Sequence, residues 1–153
     1  MKKILVMSDT HGNSDAVNVL TRDYYDYIFF LGDGLDDLGS LEYDSRLKKV
    51  RGNWDFASRE RTDLIVQVED VMFFLTHGHE YGVKMSCVRL YEKVKELKPD
   101  AVLFGHTHRV EDYVYNDQRF LNPGALSDKG CGRNTYMVIN VDGKNYSVEK
   151  HIF

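Results

Sequence analysis

Short apolar blocks alternate with polar stretches along this chain. The runs Ile4 to Met7, Ile28 to Leu31, Val71 to Leu75 and Ala101 to Phe104 each stop at a polar motif, and Val50 stands before another. Apolar runs this short, without a helical period, read as buried strands. Between the first two, Asp15 to Thr21 predicts a helix, and Leu35 to Leu41 predicts another short one, so the first half is βαβ material. Leu64 to Val68 and Val71 to Leu75 are separated only by Glu69-Asp70 and predict a hairpin, which makes the sheet mixed. Val83, Cys87, Leu90, Val94 and Leu97 recur at spacings of four and three, the stripe of an amphipathic helix that stops before Pro99 and covers a sheet face. Thr135 to Ile152 predicts a second hairpin turning at Asp142-Gly143, with Met137, Ile139 and Val141 on one face. No repeat, low-complexity tract or linker interrupts residues 1–153, so one α/β domain with mixed sheets is expected.

Composition narrows the setting. A chain of 153 residues can bury roughly two thirds of its unfolded surface without disulfide support. Cys87 and Cys131 make no framework and no C-x-x-C pair, which fits a reducing compartment. Met1-Lys2-Lys3 is followed by only four apolar positions before Ser8-Asp9, too few for a signal-peptide core or a membrane span. A cytoplasmic location with no membrane partner is therefore expected. A formal charge of −4 argues against a general nucleic-acid binder.

The chemistry lies where the apolar runs end. Asp9-x-His11, Gly32-Asp33, Gly52-Asn53, His77-Gly78-His79 and Gly105-His106-Thr107-His108 contain five of the six histidines. Taken singly they are weak: Asp9 suits a helix N-cap, Asp33 a turn, and His77 a hydrogen-bonded histidine, while Asn53 is weaker still. His106-x-His108 is stronger, because alternate residues of an extended segment point the same way. All five together, each behind a strand, read as a dispersed set of metal ligands, since ligands in sheet folds gather outside strand ends. Imidazole, carboxylate and amide donors without a thiolate suit Mn, Ni, Fe, Co or Zn better than Mg or Ca, and exclude a structural zinc finger. No H-E-x-x-H protease motif, Walker A loop or P-C-x-x-C deaminase motif is present.

The series D-x-H, G-D, G-N, H-G-H, G-H-T-H resembles the calcineurin-like metallophosphoesterase superfamily, and Asn122-Pro123-Gly124 in a short chain resembles its small bacterial and archaeal phosphodiesterase branch. The resemblance implies a four-layer αββα sandwich with mixed β-sheets. It also implies two divalent transition-metal ions, with Asp9, His11, Asp33 and His108 on one, Asn53, His77 and His106 on the other, and Asp33 bridging. Two such ions would outweigh the charge of Asp9 and Asp33 and leave a positive site that attracts phosphate. The implied reaction is hydrolysis of a phosphodiester bond by in-line attack of a metal-bridging hydroxide, on a small phosphoester substrate. A homodimer or higher homo-oligomer is implied as well.

One departure bears on substrate. The superfamily often reads G-N-H-D or G-N-H-E where this chain has Gly52-Asn53-Trp54-Asp55, and indole cannot act as a general acid. General-acid help is commonly worth about 10²–10⁴ in rate, so its absence should hurt poor leaving groups most. The small phosphodiesterase branch also commonly lacks that histidine, which favours a diester. Asn53, Trp54 and His79 are the candidate substrate contacts, and Asp33, Asn53 and His79 the candidate catalytic residues. His79 either supplies a proton in place of the missing histidine or holds a hydrogen bond within its glycine turn. Lys129 and Arg133, in a glycine-containing loop, are either phosphate contacts or solvated cations. His151 has no motif around it and reads as structural, and Tyr24, Tyr25 and Tyr27 as packing residues or an oligomer contact. A phosphomonoesterase or nucleotidase on the same site is the alternative reading. A third is a non-catalytic interaction module, like the retromer subunit that resembles these enzymes but has lost ligands.

Overall fold

The computed structural model describes residues 1–127 and 133–153. Its first sheet contains β1 (Lys2–Met7), β2 (Tyr27–Phe30), β3 (Leu47–Lys49), β9 (Thr135–Asp142) and β10 (Asn145–Ile152), in the order β10-β9-β1-β2-β3. The second contains β4 (Asp63–Val68), β5 (Val71–Thr76), β6 (Ala101–Leu103), β7 (Val110–Tyr115) and β8 (Gln118–Pro123), in the order β4-β5-β6-β8-β7. β1, β2 and β3 run parallel in one sheet, as do β5, β6 and β8 in the other; the outer hairpins add antiparallel strands.

Burial on both faces explains the continuous apolar runs. Ile4, Val6 and Phe29 of the first sheet meet Phe73, Leu75 and Leu103 of the second in a shared core. The alternate residues Leu5, Met7, Ile28 and Phe30 point outward and are covered by α1 (Ser14–Leu20) through Ala16, Val17 and Leu20. On the far side, Phe74, Val102 and Phe120 are covered by α2 (Val88–Leu97) through Leu90 and Val94. The result is the expected α-β-β-α layering. Among the described residues no helix is long and apolar enough to cross a membrane.

Several local expectations need correction. The amphipathic stripe from Val83 to Leu97 becomes helical only at Val88; Val83 sits after the 3-10 turn His79–Tyr81, yet still packs into the same outer cluster. The expected short helix at Leu35 to Leu41 is of the 3-10 type, extends to Tyr43, and breaks at Gly39. β3 and the β7–β8 hairpin add strands beyond those anticipated. Tyr25 is buried under the first sheet, whereas Tyr24 is exposed. Cys87 is a half-buried free thiol, and Cys131 and Lys129 lie outside the described residues.

Every motif follows the carboxyl end of a parallel strand: Asp9 after β1, Asp33 after β2, Asn53 after β3, His77 after β5 and His106 after β6. Backbone bonds hold these ends level, Asp9 N–H to Gly32 O at 2.9 Å in one sheet and Gly105 N–H to His77 O at 3.0 Å in the other. The two sheets therefore present their loops at one edge of the sandwich.

Candidate metal centre

Two triads of ligand atoms lie side by side at that edge. Asp9, His11 and His108 form one; Asp33, His77 and His106 form the other, and in each the donor atoms are within 4.8 Å of one another. Asp33 belongs to both neighbourhoods, because its Oδ2 lies 3.5 Å from His11 Nε2 and 3.2 Å from His77 Nε2. Asp9 Oδ1 is 3.1 Å from His108 Nε2 and 3.6 Å from His11 Nε2. Six of the seven sequence-predicted metal ligands are thus brought together. The seventh, Asn53, is exposed in the turn between Gly52 and Trp54.

The backbone is bent to make this possible. Nine described non-glycine residues have positive φ, and five of them are Asp9, His11, Asp33, His106 and His108. Left-handed backbone at such residues costs on the order of 1 kcal/mol or more each, and persists where surrounding bonds over-determine it. Those bonds are visible. Asp37 Oδ2 accepts from Thr10 Oγ1 at 2.5 Å and from Gly12 N–H at 2.9 Å, fixing the loop that carries Asp9 and His11. Asp55 accepts four backbone N–H groups: Asp33 and Gly52 at 2.8 Å on one oxygen, Gly34 and Leu35 at 3.0 Å on the other. Buried Asn122 donates to Gly105 O at 3.1 Å and Thr107 Oγ1 at 3.0 Å, bracing the His106–His108 loop. Two motif glycines answer to close approach: a Cβ on Gly52 would overlap Asp33 Oδ1, and one on Gly105 would overlap Ser8 Oγ. Ser8, Asp37, Asp55 and Asn122 were missed as positioning residues. Asp55 and Asn122 lie within the motifs Gly52 to Asp55 and Asn122 to Gly124, while Ser8 and Asp37 are only polar residues near a motif.

The electrostatics favour positive charge between the carboxylates. Burial would raise the Asp9 carboxyl, but the bond from His108, the nearby His11 ring and the charge of His77 hold it far below the usual range. Burial likewise opposes ionisation of Asp33, but the contact and charge of His77 together with the Trp54 backbone N–H outweigh it and hold the carboxyl below its ordinary value. His11 is raised by the facing Asp9 carboxylate, and His77 is raised by Asp33 despite complete burial. His106 behaves oppositely: burial, then the neighbouring His77 charge, lowers it to about 4, leaving a neutral ring with an available lone pair. Burial also lowers His79, whose Nδ1 is buried without a partner and whose ring centroid is 5.4 Å from that of His77.

These residues fit a divalent ion on structural grounds. The Leu31 carbonyl can only accept, so His77 Nδ1 donates to it at 2.7 Å and the Nε2 lone pair faces Asp33 and His106 Nδ1, the latter 3.2 Å away. A lone pair aimed at a carboxylate is repulsive unless a cation or proton lies between them. His11 Nε2 is buried without a hydrogen-bond partner while facing two carboxylates, the position a ligand atom would take. A cavity of about 580 Å³ opens over His11, Asp33, Trp54 and His108. Trp54 is 61 % exposed, and its backbone N–H donates to Asp33 Oδ1 at 2.9 Å. Arg133 lines a neighbouring cavity that also touches His108 and His151, and His151 stacks on Tyr136.

The calcineurin-like phosphoesterase superfamily domain matches residues 1–144. The phosphodiesterase MJ0936 of Methanocaldococcus jannaschii is 24 % identical over 165 residues, covering 94 % of this chain and 96 % of that protein. A Streptococcus pneumoniae structure described as a predicted phosphoesterase superposes with a TM-score of 0.83 at 26 % identity, over 99 % of this chain and 89 % of that one. Vacuolar protein sorting 29 from Cryptosporidium parvum shares the fold, with a TM-score of 0.77 at 18 % identity over 99 % and 97 % of the two chains.

Proposed function

Since the chain belongs to the calcineurin-like phosphoesterase superfamily, we propose that it is a phosphodiesterase dependent on two divalent transition-metal ions. The observation that carries this reading is the position of Asp33, within 3.5 Å of His11 on one side and 3.2 Å of His77 on the other. In this assignment Asp9, His11, Asp33 and His108 hold one ion, and Asn53, His77 and His106 hold the second with Asp33 shared. When bound, such a pair supplies positive charge for the phosphoryl oxygens and acidifies water for in-line attack.

The protein's own groups do the positioning. His77 is locked by Leu31 O and cannot rotate, and the buried Asp9 is anchored by Ser8 and the His106 N–H. The Asn53 amide, at the exposed rim, can donate to a substrate oxygen as well as offer its own oxygen. In this reading His79, whose buried Nδ1 has no hydrogen-bond partner, is assigned to orienting substrate. A diester is favoured over a monoester because Trp54 offers no proton for a basic leaving group. His79, held below its ordinary value by burial, is neutral at neutral pH and a poor source of one. The phosphodiesterase relative in Methanocaldococcus jannaschii agrees with this choice. We place the reaction in the cytoplasm, on a small phosphoester, with the 153 residues acting as one domain.

The non-catalytic reading draws on likeness to the vacuolar protein sorting chain, but that likeness is one of fold, and this chain keeps both triads. Metal-stripped protein should be assayed on matched aryl phosphodiester and monoester substrates while Mn, Ni, Co, Zn and Mg are added separately. Activation by transition ions with the diester preferred is expected. Metal-independent turnover, or a monoester preference, would overturn the proposal.

A further inference from the structure

Two large aromatic side chains stand uncovered beside the metal centre. Trp54 is 61 % and Phe56 81 % exposed, and their rings meet edge to face with centroids 5.7 Å apart. Aromatic side chains usually bury 150–250 Å² each, so an exposed pair at the mouth of a site is informative. Trp54 also lines two cavities, together with Asp36 and Asp55. One, of about 580 Å³, contains His11, Asp33 and His108; the other, of about 540 Å³, contains Phe56, Lys49 and Arg59. The Trp54 and His11 ring centroids are 6.3 Å apart.

The ring is carried on a fixed turn. Trp54 N–H is held by Asp33 Oδ1, and the next residue, Asp55, is anchored by its four backbone donors. With that backbone already ordered beside the triads, only the side-chain torsions of the indole remain to be fixed when a planar group lies on it. We propose that Trp54 and Phe56 form a stacking platform for the base of a nucleotide-type phosphodiester, an inference that rests on the phosphodiesterase reading. The phosphate sits over the triads, the sugar crosses the rim, and the base lies on the indole.

Charge selects a mononucleotide over a strand. The groove beyond Trp54 carries the carboxylates Asp36, Glu42, Asp55 and Glu60 against only Lys49 and Arg59. Lys49 is already engaged, 3.4 Å from Glu60 and 3.9 Å from Glu42. A second and third phosphate leading away past the platform would meet net negative charge.

The chain contains one tryptophan, so its fluorescence reports this position alone. Zinc-loaded protein should be titrated with adenosine 5′-monophosphate and with ribose 5-phosphate, which carries the same phosphate and sugar without the base. Stacking on an aromatic side chain is commonly worth on the order of 5- to 100-fold in affinity per base, so the nucleotide should bind tighter by that factor and quench Trp54. Phe56→Ala should bring the two affinities closer together. Equal affinities in the native protein, no change in Trp54 emission, or an unaltered ratio in Phe56→Ala would overturn the platform. Emission that shifts with protein concentration alone would assign the pair to a second copy of the chain instead, and tighter binding of a short oligodeoxyadenylate would overturn the mononucleotide choice. Quenching by the nucleotide without diester turnover would refute the phosphodiesterase reading while the platform stands; diester turnover without base preference would do the reverse.

Discussion

Removing the carboxylate of Asp55 should both loosen the fold and weaken the metal centre. Its two oxygens accept the N–H groups of Asp33, Gly34, Leu35 and Gly52 at 2.8–3.0 Å, so Asp55→Ala strands four backbone donors at once. A hydrogen bond contributes about 0.5–1.5 kcal/mol net, more when the acceptor is charged. Asp55 is only half-buried, so water refills part of the gap, and the expected loss is about 2–3 kcal/mol. Asp55→Asn should recover little, because its amide would point donors at two of the same N–H groups. The second consequence is specific to function. The stranded loop carries Asp33 at a φ of 61°, where its own N–H is held by Asp55. Losing a group that orients a metal ligand typically costs about 10–100-fold in affinity. Urea unfolding of metal-free protein, with isothermal titration of Zn or Mn into the same variant, measures both. Stability within about 0.5 kcal/mol of the native protein, the range of an ordinary surface substitution, together with unchanged metal affinity, would show that the four contacts position nothing.

Three further outcomes are expected. Asp33→Asn should abolish diester turnover more completely than Asp9→Asn, since Asp33 faces both triads; near-normal activity of Asp33→Asn at limiting metal would refute the shared role. Trp54→His should raise turnover of monoesters with basic leaving groups and change activated diesters little, the gain growing with leaving-group pKa. An equal gain in Trp54→Ala would show that bulk, not proton supply, is the difference. Arg119, bound to Asp112 at 2.8 and 2.9 Å, holds that carboxyl below its ordinary value, with Lys150 adding to the effect. A depressed carboxyl contributes stability above its unfolded pKa and loses it as pH falls through the folded one. Asp112→Asn should therefore cost about 1 kcal/mol at neutral pH, as expected for a half-buried charge-assisted pair, with the difference from native protein vanishing in acid. A difference independent of pH in chemical denaturation would exclude the ion pair as its source.

The elements that were legible in advance share a physical property. β1, β2, β5 and β6 are buried on both faces, so their sequences are continuous apolar runs, and β9 placed Met137, Ile139 and Val141 inward as alternation demands. β3 escaped notice because Leu47-Lys48-Lys49 is a three-residue edge strand with one buried side chain. The β7–β8 hairpin was hidden by polar residues on β7, although its Asn116-Asp117 turn, at φ 51° and 61°, was a usable signal. The start of α2 was misplaced because Val83 keeps the helical spacing while packing from a turn.

The sequence by itself singled out the candidate ligands, since Asp9, His11, Asp33, His77, His106 and His108 stand behind strands whose ends must lie close together. The family resemblance implied how they are grouped, but the physical reason for the grouping lies in the tertiary structure. Asp33 and His77 end strands of different sheets, and they meet because burying both inner faces stacks the sheets with their carboxyl ends at one edge. Asp55 and Asn122 stood in motifs, but the contacts by which they and Asp37 brace the loops could not be read from the sequence. Hydrophobic periodicity is a local property that a short window reveals, whereas a carboxylate acquires its four backbone partners only after distant segments have packed.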